Sequence, residues 1–296
     1  MISEIAFATM SWKDNWYLKI WVDYYSRYID RCNLFVLMHD RDEEAEEIAR
    51  GCNIIRLHRR PIYRDFDRDR WMTIQYFVNA LLFQFRVVVF NDVDEILVVD
   101  PDVSANPVEY ILCNEAVPVN TPFGFDIVHR SEEETEDIGN GQGILAKRRF
   151  VRPTTVYSKP CILRQGVRFK AGGHGCDHPA LHLSPNIYLM HMRTVDREMS
   201  LARLMSRTDI TTDPISGESI QSLGPRTWRM QQHEAEEMMD GLEALEVRPN
   251  PTFDFQEFRL DYQERFGEHY SHGLFGIKNK EARCVFELPM RFRSVF

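Results

Sequence analysis

The chain has 296 residues, enough for one large α/β domain or one domain with a cap, and 44% hydrophobic and 12% aromatic residues suffice for a real core. Its net charge of −9 argues against a general nucleic-acid binder. The six cysteines are scattered with no C-x-x-C pair, no basic leader opens the chain and no window reads as a membrane span, so the sequence reads as a soluble, cytoplasmic protein with free thiols.

Glu4 to Met10 suits a first strand, Ser11 to Asn15 a polar turn, and from Trp16 apolar residues recur at helical spacing. Asn33 to Met38 reads as a second strand ending at His39 and Asp40, Asp42 to Arg50 as a helix, and Asn53 to Leu57 as a third strand. This alternation predicts a doubly wound parallel sheet. Arg56 to Arg70 interleaves six arginines with three aspartates. Most of these charges read as a self-paired surface, with one or two arginines, Arg70 among them, free to reach a substrate phosphate. Asp69 to Phe85 is helical in spacing.

The centre of the chain is RVVVFNDVDEILVVDPD, Arg86 to Asp102. A short β-branched run predicts a buried strand, and Asp92, Asp94 and Glu95 fall just past its C-terminal end, where open α/β sheets hold ligands. Two aspartates at that place can share Mg²⁺ or Mn²⁺ whose shell is completed by substrate phosphates. A bare D-x-D is common; its position between two buried segments is what favours metal binding over idle surface acids.

Beyond Pro101 the pattern loosens. Glu115 to Thr121 reads as a strand, Pro122 to Asp126 (PFGFD) as a turn around Gly124, and Glu132 to Gly143 as a mobile acidic loop without a dinucleotide fingerprint. Lys159 to Gln165 reads as a strand. His174, Cys176, Asp177, His178 and His182 lie in a Gly- and Pro-rich stretch that no helix can align, which disfavours structural zinc. His191 ends an apolar strand, Ile187 to Arg193, and is a candidate third ligand beside the D-x-D metal. From Asp196 onward the reading is of amphipathic helices forming a C-terminal extension, 196–296, packed on a catalytic domain, 1–195. The basic, aromatic tail PMRFRSVF reads as packing onto the domain or, at most, peripheral membrane contact.

Several segments, in order, resemble GT-A fold glycosyltransferases of the kind grouped in families 2 and 92. RWMTIQYFVNALL leads into VVVFNDVDEILVV; PFGFD, KPCILR with His174 beyond it, and LMHMR follow, covering roughly Ile5 to Arg193. Ile96 stands where Phe is usual and Gln165 where Pro is usual. The resemblance implies a GT-A type α/β fold with a mostly parallel central sheet. It implies transfer of a sugar from a nucleotide-sugar donor, UDP- or GDP-linked, to a carbohydrate, lipid-linked or small-molecule acceptor. Asp92, Asp94 and His191 would hold Mn²⁺ or Mg²⁺ on the diphosphate, with Lys159 or an arginine adding charge. Thr9 in the first loop and Asp40 would hold the nucleoside, Gly124 would lie at the turn, and Asp177 or His174 would serve as base in an inverting reaction. Two alternatives stay open: a phosphatase of the haloacid-dehalogenase type with Asp92 as nucleophile, and a non-catalytic sugar- or metal-binding module.

Overall fold

In the computed structural model, residues 3–59, 63, 65–114, 116–208, 230–270 and 273–296 are described; Arg60, Arg64 and Glu115 of the segments above lie outside them. The chain begins with β1 (Ser3–Ser11) and α1 (Asn15–Tyr25), whose Leu18, Trp21, Val22 and Tyr25 pack against the sheet at helical spacing. β2 (Leu34–His39) leads to α2 (Glu43–Ile48), capped by the Asp42 carboxylate, which accepts from the Ala45 N–H at 3.0 Å. β3 (Asn53–Leu57) is followed by α3 (Phe66–Leu81), which starts three residues earlier than the spacing predicts and ends before Phe85. The apolar centre then splits into β4 (Phe85–Phe90) and β5 (Glu95–Val99), with Asp92 and Asp94 in the connection.

The remaining elements are α4 (Pro107–Cys113), β6 (Val119–Ile127), α5 (Ile144–Lys147), β7 (Phe150–Pro153), β8 (Ile162–Leu163), β9 (Gly175–Cys176) and β10 (Leu183–His191). Then come α6 (Arg197–Thr208), α7 (Gln232–Glu243), β11 (Glu246–Val247), α8 (Gln256–Glu264), β12 (Phe266–Tyr270), β13 (Leu274–Ile277) and β14 (Cys284–Glu287). The order of the large sheet is β11-β14-β7-β6-β8-β4-β1-β2-β3. The four strands β3, β2, β1 and β4 are all parallel, as their alternation with helices predicts. Beyond β4 the pairing turns mixed: β8 is antiparallel to both β4 and β6, and β10 lies parallel to β6 and antiparallel to β5. β12, β13 and β9 form a small second sheet. Helices flank the large sheet, and no helix among the described residues is long and apolar enough to cross a membrane.

Three strands carry the site. His191 at the end of β10 stands beside Glu95 of β5 on one side and Asp126 of β6 on the other. The hydroxyls of Tyr24 and Tyr25 on α1 bond the Leu97 carbonyl and N–H at 3.1 and 2.9 Å, which fixes β5 against the helix.

Several expectations change. PFGFD is the interior of β6, not a turn. The pairing to β10 slips next to Pro122, which has no N–H to give, and Gly124 admits the backbone of Tyr157 and Ser158 where a Cβ would collide. The strand expected over Lys159 to Gln165 is reduced to Ile162–Leu163. The acidic segment 132–143 is anchored: Arg148, 2% exposed, bonds the Glu136 carbonyl at 2.8 Å, and Ile138 is buried. The C-terminal hundred residues are not only helical. They supply β11 and β14 to the large sheet, and Phe253, Phe255, Tyr262, Phe292 and Phe296 enter the main core. The tail is therefore packed, with Arg291 forking onto Asp100 at 2.7 and 2.8 Å. All six cysteines are free.

Candidate active site

The connection Asn91-Asp92-Val93-Asp94 leaves β4 and enters β5 beside a cavity of about 310 Å³. The two aspartates meet different partners. Asp92 Oδ2 accepts from Lys159 Nζ at 2.7 Å, and the same ammonium lies 2.5 Å from Glu95 Oε1. Glu95 also accepts the Asp92 N–H at 3.0 Å, which closes the turn. Lys159 and Glu95 are 6% and 1% exposed, so this ion pair is taken out of water. Burial alone would raise the Asp92 carboxyl; Lys159 and Arg70 outweigh it and hold it below the usual range. Burial pushes Glu95 up to about 7, against the pull of Lys159.

Asp94 faces the other way. Its Oδ2 lies 2.5 Å from Arg203 Nη1, on α6, and 3.6 Å from His191 Nε2. His191 is held from behind: its Nδ1 donates to Asp126 Oδ1 at 2.9 Å, and Asp126 Oδ2 is tied to Arg152 at 2.6 Å. Tyr157 stacks on the imidazole with centroids 3.6 Å apart. Burial would lower the His191 value, but the Asp94 and Asp126 carboxylates outweigh it and raise it. Burial would raise Asp94, and Arg203 and His191 hold it well below the usual range. Arg203 also binds Asp14 at 2.8 Å, and Arg207, one turn along α6, lies 3.4 Å from the same carboxylate. The cavity thus gathers Arg70, Lys159, Arg193, Arg203 and Arg207 against Asp14, Asp67, Asp92 and Asp94.

The donor set bears on a divalent cation. Asp94 and His191 fit: a hard carboxylate and an imidazole aimed at each other, with Asp126 orienting the ring as carboxylates behind metal-bound histidines do. The Arg203 guanidinium already stands as a cation at that carboxylate. Asp92 carries Lys159 on its Oδ2 at 2.7 Å while its Oδ1 has Arg70 no nearer than 4.0 Å, so each aspartate of the D-x-D has one oxygen held by a cation. Among the described residues no three His, Cys, Asp or Glu side chains gather as a metal cage. Two protein ligands suit a cation that takes the rest of its shell from substrate phosphates.

The other sequence-stated residues divide. Arg70 lines the cavity, 4.0 Å from Asp92 and 3.0 Å from Asp67. His174 lines it too; its Nδ1 donates to the Val156 carbonyl at 2.8 Å, so Nε2 is the unprotonated nitrogen. Burial pushes this histidine down to about 4, and Lys159 adds to the effect. Asp177 does not line the cavity: it is exposed and its carboxylate accepts the Arg168 N–H at 2.9 Å. Thr9 is buried under α1 on the core face of β1, away from the cavity. Asp40 is exposed at the end of β2 with φ 101° and does not line the cavity. Gly124 seats the Tyr157–Ser158 backbone rather than a ligand, its N–H donating to Ser158 Oγ at 2.9 Å, and thereby aims Tyr157 and Lys159. At the ends of β1 to β3, Arg59 lies 3.5 Å above the Trp12 ring and His39 stacks on Phe66.

Sequence reasoning missed Asp14, Asp126, Arg203 and Arg207. The two arginines are spaced i, i+4 in a helix whose other face is apolar, a signal that places both on one side. Asp126 carried no signal alone, because its role comes from the pairing of β6 with β10.

No family model matches the chain, and no curated protein matches its sequence. A solved structure to which it is similar is that of glucosyl-3-phosphoglycerate synthase from Mycobacterium tuberculosis, in complex with Mn²⁺, uridine diphosphate and glucosyl-3-phosphoglycerate. That match has 16% identity and a TM-score of 0.28 and covers 45% of this chain and 47% of that one. The chain spans about half the length of the structure it matches.

Proposed function

We propose that the protein is a divalent-metal-dependent glycosyltransferase that uses a nucleotide-sugar donor. The observation that carries this reading is the Asp94–His191 pair, backed by Asp126, at a cavity with five cationic side chains. A nucleoside diphosphate leaving group concentrates negative charge, and a dry site with fixed cations is built to receive it. Asp94 and His191 would hold the metal, which would neutralise the diphosphate as the glycosidic bond breaks. Lys159 keeps Asp92 ionised and in place, Arg70 stands over the same carboxylate, and Arg203 and Arg207 bring further charge from α6. The Trp12–Arg59 and His39–Phe66 stacks at the end of the parallel strands offer flat faces for a nucleobase. His174 Nε2 is the unprotonated base nearest to hand.

A phosphatase reading asks Asp94 to carry a proton as general acid. Its pairing with Arg203 and His191 opposes that.

The test is melting temperature against UDP, GDP, ADP and CDP, each with Mn²⁺ and with EDTA. A rise with one nucleotide that needs Mn²⁺ supports the reading and names the donor base. No rise with any nucleotide, together with Mg²⁺-dependent hydrolysis of a phosphate ester, refutes it.

A further inference from the structure

Behind the Tyr157–His191 stack lies a second cavity of about 220 Å³. It shares Tyr157 and Arg193 with the first, so those two side chains form the wall between them. Its own lining is two-sided. Asp126, Arg152, Thr194 and Glu281 make a polar side, and Met238, Leu242 and Leu245, at the end of α7, make an apolar one.

The polar side is unevenly satisfied. Arg152 is held between Asp126 at 2.6 Å and Glu281 at 3.1 Å. Arg193 has no carboxylate within ion-pair distance among the described residues; the contact of its Nη2 is the Met238 sulfur, a weak acceptor, at 2.9 Å. The Nε of both arginines is buried without a partner. Arg193 thus stands half-buried at the cavity with no carboxylate beside it and is free to take an anion there.

Gly241 is the third observation. It lies inside α7 at the mouth of this cavity, where glycine weakens a helix relative to alanine, yet a Cβ there would meet nothing within 4 Å. Packing does not demand glycine at this place. What its absent side chain keeps is an open mouth.

We propose that this cavity is the acceptor subsite, and that it takes an acceptor bearing an anionic group, carboxylate or phosphate. Arg193 binds the anion, and an apolar portion lies on Met238, Leu242 and Leu245. The identification as acceptor subsite rests on the transferase reading above. The shared wall, Tyr157 and Arg193, sets the occupant next to the donor cavity.

The test uses full-length protein with the first cavity filled by the nucleoside diphosphate and Mn²⁺ found in the melting assay. Butyl phosphate, butyrate and butanol are then titrated in saturation-transfer NMR. Binding of one or both anions, with butanol at least about tenfold weaker, is expected. Preference between the two anions says whether the acceptor carries phosphate or carboxylate. Arg193→Met should weaken the bound anion about tenfold, and Gly241→Leu, which fills the mouth and favours the helix, should do the same without lowering the melting point. Equal binding of butanol, no binding of either anion, or anion binding that survives both substitutions overturns the inference. If no nucleotide shows Mn²⁺-dependent binding in the first place, the transferase reading itself fails, and the fragments are then titrated without nucleotide to judge the anion site by itself.

Discussion

Asp92 and Asp94 are one residue apart and belong to two different kinds of site. The Asp92 side is closed: its partner, Lys159, is buried between two carboxylates and has no third place to go. The Asp94 side is exchangeable: its strongest cation, Arg203, comes from α6 and keeps a second carboxylate, Asp14, on which to rest. The difference teaches that the D-x-D pattern is a division of labour. Asp92 is tied to Lys159 beside the turn that Glu95 closes, and Asp94 is tied to a cation that has a second carboxylate.

The comparison breaks most visibly at Lys159. Lys159→Met leaves Asp92 and Glu95 with only the more distant Arg70 as a cation, which costs about 3 kcal/mol. Thermal unfolding should show a drop of roughly 5–10 °C. An unchanged melting point would mean that the Asp92 side is not a structural pair. Asp94→Asn should act on function instead. Mn²⁺-dependent nucleotide binding and transfer should fall by about 100-fold or more, measured by calorimetry and by product formation. If the two variants exchange phenotypes, the assignment of roles is reversed. Asp126→Asn sharpens the Asp94 side: the His191 ring loses the carboxylate that orients it, and metal affinity should fall by about 10–100-fold. A Kd for Mn²⁺ that does not move would remove His191 from the metal.

The parallel half of the fold was legible because its strands are short and mostly apolar and α1 and α3 carry apolar residues at a 3.6-residue period, from Glu4 through Phe90. The position of Asp92 and Asp94 past a buried strand followed from the same pattern. The rest depended on pairings that no local pattern encodes. PFGFD reads as a turn because Pro and Gly usually punctuate, but here Gly124 is small so that another backbone can pass. Asp177 lies in a Gly- and Pro-rich stretch with no period to read, and its carboxylate accepts the Arg168 N–H. Asp126 and Arg203 reach the site across 65 and 109 residues of sequence, from β6 and α6.

The smallest effect separates the two sides by pH. His174 lies against the Asp92 side and is kept neutral, its value pushed from 6.5 down to about 4 by burial and by Lys159. The sign follows from proton counting. Below pH 6.5 the unfolded chain takes up a proton that the folded chain refuses, so stability falls as pH falls from 6.5 toward 4. Between pH 6.5 and 5.5 one such histidine removes about 1 kcal/mol. His39, likewise lowered to about 4 by burial at the end of β2, contributes its own share. Glu95, held up to about 7, and the raised His191 act in the opposite sense, so His174→Gln should lower the slope in a pH series of urea midpoints by one histidine's share, while Asp94→Asn leaves that share in place. A slope that His174→Gln does not touch would show that this imidazole is not shut away from protons. Its Nε2 would then have to face a wetter cavity than the Lys159 side provides.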